Sequence, residues 1–267
     1  MKSFLAAAVQ LNCTDDRDRN LDQAFSLIDA AAASGAEFIA LPENTDLIAS
    51  HSVKVEAAEP LDGPTFRLFA DKAKELDIWL LAGSLAEVSS ENGKARNTSA
   101  LFSPDGERVS VYRKIHLFDV DLEERSFRES SVVEAGTEVV LADTPLAVFG
   151  MSVCYDLRFP ELYRRLAWEG AEVLLVPSAF TAETGKDHWE VLLRARAIEN
   201  TCWLIAPAQV GDHIKGRRSY GHSMIVDPWG LVVARCSDGP GYCIAELRSD
   251  VLEKVRKTIP SLQHRVL

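Results

Sequence analysis

Residues 146–169 read LAVFGMSVCYDLRFPELYRRLAWE. An apolar run over 146–153 gives way to a short polar turn, and Pro160 with Glu161 then opens a helix that reaches residue 169. Proline suits the first helical turn because its missing N–H would find no intrahelical acceptor there, and an acidic side chain suits the positive end of the helix dipole. A buried strand, a turn and a helix are the elementary unit of an α/β protein. The pattern recurs on both sides. Toward the N-terminus, an apolar run at 5–11 precedes helical spacing over 20–33 (Leu21, Ala24, Phe25, Leu27, Ile28 and Ala31), closed by Gly35. A short buried strand at 38–41, a helix at 64–76 opened by Pro64, and a strand at 78–82 follow. Toward the C-terminus come a strand at 173–176, a helix at 188–199, strands at 203–206 and 242–247, and a last helix at 251–256.

Two hairpins are superimposed on this alternation. Runs at 98–102 and 109–112 flank Asp105-Gly106, a pair that supplies the positive φ angles of tight turns. Runs at 224–226 and 231–234 flank Pro228-Trp229-Gly230. Residues 116–136 are charged and without period, which predicts a long functional loop with a short helix. Strands outnumber helices, and hairpins mix with strand–helix–strand units. That combination predicts an α/β fold of mixed sheets with helices outside, and two sheets face to face is the natural way to bury them. No Ser/Gly linker or shift of composition interrupts residues 1–267, so one domain is expected.

Of the 267 residues, 47% are hydrophobic, enough for a large core and too many for a disordered chain. Asp plus Glu number 40 against 29 Lys plus Arg, a net charge of −11 that repels phosphate backbones and excludes nucleic acid as a partner. No apolar run approaches the ~20 residues that span a bilayer, so no membrane segment is expected. The opening MKSFLAAAVQLN has a short apolar stretch followed by Asp15, Asp16 and Arg17, without a small-residue cleavage site, and reads as a first buried strand. Cys13, Cys154, Cys202, Cys236 and Cys243 are odd in number and form no CxxC. They argue against a disulfide framework and for a reducing, cytoplasmic home.

Three places carry groups suited to chemistry. Cys154 stands between an apolar strand and a proline-initiated helix, where helix N–H groups favour a thiolate and lower a thiol's pKa. The alternative is a buried structural cysteine, which is the reading for the other four. Glu43, in IALPEN, also follows a buried strand, and a partly apolar pocket would raise its pKa toward that of a general base; the alternative is a surface carboxylate. Lys114, in VYRKIHLF, stands where another strand enters the irregular loop. An ammonium there can support a thiolate and a developing oxyanion, or belong to a solvated basic patch. His116 beside it can act as a base or serve as a hydrogen-bonded structural residue. Nucleophile, base and cation each lie at the C-terminal end of a strand, where α/β sites collect.

LPEN (41–44), YRKIHLF (112–118) and CYDLRFPE (154–161) resemble, in that order, the motifs of the nitrilase, or carbon–nitrogen hydrolase, superfamily, and the likeness runs on to PSLQHR at 260–265. The resemblance implies an α-β-β-α sandwich of two mixed sheets with outer helices, assembled into homodimers or larger forms. It implies a Glu43–Lys114–Cys154 triad, with Glu129 of FRES (127–130) supporting the lysine and substrate. The thiolate would attack an amide carbon, Lys114 and the Tyr155 backbone N–H would hold the oxyanion, and water would hydrolyse a thioester on Cys154. No metal or organic cofactor is implied. HWEVLLRARAIEN (188–200) and RRSYGHSMIVDPWG (217–230) look like the branch that includes deaminated glutathione amidase. Alternatives are an ω-amidase on α-ketoglutaramate, an N-carbamoyl amino acid amidohydrolase, and a weakly catalytic binding protein. The carbamoylase branch carries two arginines after its cysteine, whereas Leu157 precedes Arg158 here. Arg158 can pair bidentately with a substrate carboxylate or structurally with Asp156 or Glu161. Arg217 and Arg218 are further candidates for an anionic substrate. For a dimer, some of Leu162, Leu166, Ala167 and Trp168 on the helix at 160–169 and the terminal Val266-Leu267 are expected to face a partner, the alternative being that they complete the chain's own core.

Overall fold

The computed structural model describes residues 1–122 and 125–266. Among these, a nine-stranded sheet packs against a six-stranded sheet, and a two-stranded hairpin stands apart. At the heart of the larger sheet, Phe4–Leu11 pairs parallel with Phe38–Ala40 and antiparallel with Gly241–Leu247. Ala208–Asp212 meets its C-terminal end, with Gln10 opposite Ala208. Trp79–Leu81 follows Phe38–Ala40 in parallel, and Ala95–Phe102 then pairs antiparallel with it and with both Leu85–Val88 and Arg108–Arg113. The smaller sheet runs Val232–Arg235, Met224–Val226, Trp203–Ala206, Val173–Leu175, Val148–Met151, Leu141–Asp143.

Strand periodicity explains how one segment serves two layers, because successive side chains point to opposite faces. Phe4, Ala6 and Ala8 enter the core between the sheets with Phe38, Phe149 and Met151. Ala7, Val9 and Leu11 face outward onto Arg17–Ala33 and Pro64–Leu76, against Ile28 and Phe69. Phe38 of one sheet stacks on Phe149 of the other, centroids 4.4 Å apart. A fully buried phenylalanine contributes roughly 1.5–3 kcal/mol, so this pair alone ties the sheets firmly. Pro160–Trp168 and Ala182–Asn200 cover the outer face of the smaller sheet, giving the α-β-β-α layering. Gly150 allows the close approach there: a Cβ on it would lie 3.2 Å from Leu166 and Ala171.

The segment at 116–136 is not an irregular loop in its first part. Asp119–Leu122 and Arg125–Arg128 form an antiparallel hairpin, and the short helix is a single 3-10 turn, Glu129–Ser131. Val120 and Leu122 alternate with Asp119 and Asp121 and are half-buried, a short period-2 signal masked in the sequence by the surrounding charges. Ala182–Asn200 begins well before residue 188, because Ala182, Gly185 and other small or polar residues carry no apolar stripe. The helix Pro160–Trp168 turns Leu162, Leu166 and Ala167 into the chain's own core, which leaves Trp168 and Val266 as the described members of the expected dimer contact that face outward. One apolar stripe on a helix of this length is satisfied by the sheet beneath it. Trp168 stays 60% exposed with the Arg265 guanidinium 4.9 Å above its ring, and Val266 is exposed; Leu267 lies outside the described residues. No helix among the described residues is long and apolar enough to cross a membrane.

Candidate active site

The structure brings Glu43, Lys114, Glu129 and Cys154 to one pocket with about 720 Å³ of open space. Cys154 opens a 3-10 turn, Cys154–Arg158, with φ +49°. That left-handed conformation costs a non-glycine residue about 1–2 kcal/mol and needs surrounding bonds to hold it. The Cys154 N–H donates to the Pro177 carbonyl at 3.0 Å. Asp156, fully buried, supplies the rest. Its carboxylate accepts from the Val153 N–H (2.8 Å), the Tyr112 hydroxyl (2.6 Å), the His116 N–H (3.0 Å) and lies 2.7 Å from His116 Nδ1. His116 also stacks on Phe159 with centroids 3.7 Å apart, so it braces this turn and does not line the pocket.

Tyr112 and Lys114 leave the same strand end, Arg108–Arg113, two residues apart. The first holds the cysteine turn; the second reaches the carboxylates. Lys114 Nζ donates to Glu43 Oε1 at 2.9 Å and to Glu129 Oε2 at 2.8 Å. Asn97 Nδ2 donates to the same two residues, at 2.8 Å to Glu43 and 3.2 Å to Glu129. The Ala179 N–H, from the smaller sheet's side, donates to Glu43 Oε2 at 2.8 Å, and the Phe118 N–H donates to Glu129 Oε2 at 2.7 Å. Behind Glu43, Gln209 Nε2 donates to its carbonyl at 3.0 Å.

These contacts overturn two expectations about protons. Burial works to raise the Glu43 carboxyl, but the charge and hydrogen bond of Lys114 outweigh it and hold Glu43 down at about 2. Burial, followed by the charge of Glu43, pushes the Cys154 thiol well above the ordinary range, and Lys114 only partly offsets this. Burial likewise opposes the Lys114 charge, yet Glu129 and Glu43 keep its ammonium well above the usual lysine range. Glu129 is lowered in turn, burial being outweighed by Lys114. These shifts favour a neutral thiol beside an ionised carboxylate and a fixed ammonium.

Tyr155 lies on the turn directly after Cys154, where the first N–H groups have no intrahelical acceptor, and it lines the pocket. Arg158 pairs with neither Asp156 nor Glu161; it lies 3.3 Å from His188 Nδ1, over the Phe180 ring at 5.1 Å, and lines the pocket. Arg217 lines the pocket as well, whereas Arg218 points away beside Asp212 at 4.0 Å. Sequence reasoning missed Asn97, the Ala179 N–H and Lys54. A polar residue within an otherwise buried strand, as Asn97 is in Ala95–Phe102, was a signal available in ARNTSALF. Lys54, on the short helix His51–Glu56, carries no such signal; its Nζ donates to Asn44 Oδ1 at 2.9 Å.

A carbon–nitrogen hydrolase family model matches residues 5–257. Deaminated glutathione amidase of Synechocystis is 46% identical over 270 residues, spanning 100% of this chain and 99% of that one. The mouse enzyme of the same name is 43% identical over 98% of this chain and 83% of its own length. Among solved structures, the Caenorhabditis elegans NitFhit protein superimposes with a TM-score of 0.94 at 38% identity, over 99% of this chain and 65% of that longer one. Saccharomyces cerevisiae Nit3, described as a member of branch 10 of the nitrilase superfamily, gives 0.88 at 32% identity over 97% and 95%. The chain belongs to the carbon–nitrogen hydrolase family. It is accordingly a hydrolase, and its bond is the carbon–nitrogen bond of an amide.

Proposed function

We propose that the chain hydrolyses a small carboxylated amide to an acid and the amine or ammonia it carried, through a thioester on Cys154, with Glu43 as base and acid, Lys114 as oxyanion partner and Glu129 as its support. The observation that carries this reading is the shared position of Lys114, 2.9 Å from Glu43 and 2.8 Å from Glu129, beside a buried thiol. Glu43 takes the thiol proton as sulfur attacks the amide carbon, and the carbonyl electrons move onto oxygen. The developing oxyanion draws on Lys114 and the Tyr155 N–H. As Lys114 turns to the oxyanion, Glu43 loses part of the interaction that holds its pKa down, so its basicity rises when the proton arrives. Glu43 then protonates the departing nitrogen, the carbon–nitrogen bond breaks, and a thioester remains. Water, deprotonated by Glu43, adds to the thioester; sulfur leaves and recovers its proton, and the acid is released. Dividing one hard displacement into two is the advantage of the covalent route.

Deaminated glutathione is the first substrate to assign, because full-length relatives at 46% and 43% identity carry that activity in their names. α-Ketoglutaramate is second. We place the enzyme in the cytoplasm, a reading supported by five free, buried thiols. The test is release of cysteinylglycine from deaminated glutathione and of ammonia from α-ketoglutaramate and N-carbamoyl amino acids, with mass spectrometry of the Cys154 peptide. Cys154→Ser should fold and lose at least roughly a thousandfold in turnover. Retention of a tenth of the activity, or no acyl adduct under single-turnover conditions, would sink the covalent mechanism. A clear kcat/KM preference for α-ketoglutaramate would reassign the substrate.

A further inference from the structure

The pocket holds more positive charge than its chemistry uses. Arg128 at its rim is already occupied by Asp121 at 2.7 Å. Of the other ionised side chains on its wall, Lys54, Lys114, Arg158 and Arg217 face only Glu43 and Glu129. Lys114 is shared between those two carboxylates, and no carboxylate among the described residues is ion-paired with Lys54 or Arg217. In a chain of net charge −11, unpaired cations gathered in one concavity are the mark of an anion site.

We infer that Lys54 and Arg217 form the subsite that takes a carboxylate of the substrate, with Arg158 as a second cation on the nucleophile's side, so that the pocket selects acyl groups bearing carboxylate. This deepens the amidase reading and rests on it only for the identity of the ligand's reacting end. Both side chains are mounted on built supports. Lys54 rises from His51–Glu56, and its ammonium is held by Asn44, the neighbour of Glu43, itself fixed at φ +54°. Arg217 closes a tight turn: the His213 N–H donates to its carbonyl at 3.0 Å, and its own N–H donates to Ile214 at 2.9 Å. His213 Nδ1 lies 2.7 Å from the Cys13 carbonyl, which anchors that turn to the strand end near Glu43. The two cations sense one another. Burial lowers the Lys54 pKa, the Glu129 and Glu43 charges oppose that, and Arg217 adds to the lowering. A carboxylate between them would relieve that repulsion, whereas a neutral substrate would leave it in place. A guanidinium with an ammonium also offers several donors to one planar anion, a geometry that discriminates carboxylate from amide.

The competing account is that Lys54 serves only to bias the two glutamates. It predicts equal losses for charged and neutral substrates. The experiment therefore compares kcat/KM for glutaramate and for butyramide in the wild type, Lys54→Met, Arg217→Met and Arg218→Met. Calorimetric titration with glutarate and with uncharged glutaramide, which needs no turnover, is run in parallel. The glutaramate-to-butyramide ratio should fall roughly ten- to hundredfold in Lys54→Met and in Arg217→Met, the range for losing a charge-assisted hydrogen bond. Glutarate affinity should fall by a similar factor, Lys54→Arg should recover part of both, and Arg218→Met should leave the ratio unchanged. An unchanged ratio in Lys54→Met and Arg217→Met, or wild-type protein that binds glutarate no better than glutaramide, overturns the subsite. Absence of turnover on every amide, with selective glutarate binding lost in the two variants, would overturn the amidase reading and leave the subsite standing.

Discussion

Replacing Asp156 by Asn tests what holds the candidate nucleophile in place. The substitution preserves volume and removes a charge that four contacts address: Tyr112, Val153 and both the N–H and ring nitrogen of His116. An asparagine keeps one oxygen. If that oxygen faces His116, the amide NH₂ confronts the Tyr112 hydroxyl and the Val153 N–H. The hydroxyl can rotate and accept, but the backbone N–H cannot, and Asp156 is fully buried, so no water replaces the partner. One stranded buried donor costs about 1–3 kcal/mol, and the lost charge weakens each surviving bond. A destabilisation of about 3 kcal/mol is expected, which at this chain length lowers Tm by about 5 °C. Urea unfolding followed by fluorescence and by circular dichroism measures it. Turnover at low temperature, where the variant stays folded, should drop further than the folded fraction does, because Val153 and Tyr112 no longer fix the positive-φ turn at Cys154. A loss below about 1 kcal/mol with normal turnover would refute the argument that Asp156 holds this turn.

Other outcomes follow from the same geometry. Glu129→Gln should keep the Phe118 contact through its amide oxygen yet lower kcat roughly a hundredfold by removing one of the two charges that place Lys114; a change confined to KM would mean that Glu129 meets only substrate. Stability should decline on acidification in two windows. His213, lowered to about 4 chiefly by burial, folds neutral; the unfolded chain takes up its proton below about 6.5, so stability is lost between about 6.5 and 4, and His213→Gln should flatten that portion. Glu43, held at about 2, contributes stability present above its ordinary value of 4.5 and lost as pH falls from there toward 2, a decline that Glu43→Gln should remove. A homodimer is proposed for the assembly, with Trp168 among its contacts, and light scattering at micromolar protein should report two chains; a fully active single chain would exclude the dimer as a requirement.

The parts legible in the sequence are those written in apolar periodicity or in punctuation. Pro64–Leu76 and Trp203–Ala206 fall where the sequence placed them, the first because proline opens it, the second because all four residues are buried. The hairpin of Asp119–Leu122 and Arg125–Arg128 was overlooked because its alternation is short and set among charges, and Leu141–Asp143 because it is an edge strand of three residues. The strand ends bearing Glu43, Lys114 and Cys154 were readable as chemistry one at a time. Their protonation was not: local environment suggests a raised Glu43 and a lowered Cys154 thiol, whereas Lys114, 71 positions from Glu43, holds that carboxyl down, and burial with the Glu43 charge pushes the thiol up. Asp156 looked like a partner for Arg158, because nothing local announces that Tyr112 and His116 converge on it.

Glu43 and Lys114 leave the larger sheet, Cys154 and the Ala179 N–H leave the smaller one, and the bonds of the site cross between them. Turnover is therefore a late reporter of folding. An intermediate in which either sheet has formed alone, however native its circular dichroism, has a thiol without a base or a base without a thiol. On refolding from urea, activity should return with the phase that buries Phe38 against Phe149, after most secondary structure is regained. The enzyme reads out the closure of its own sandwich.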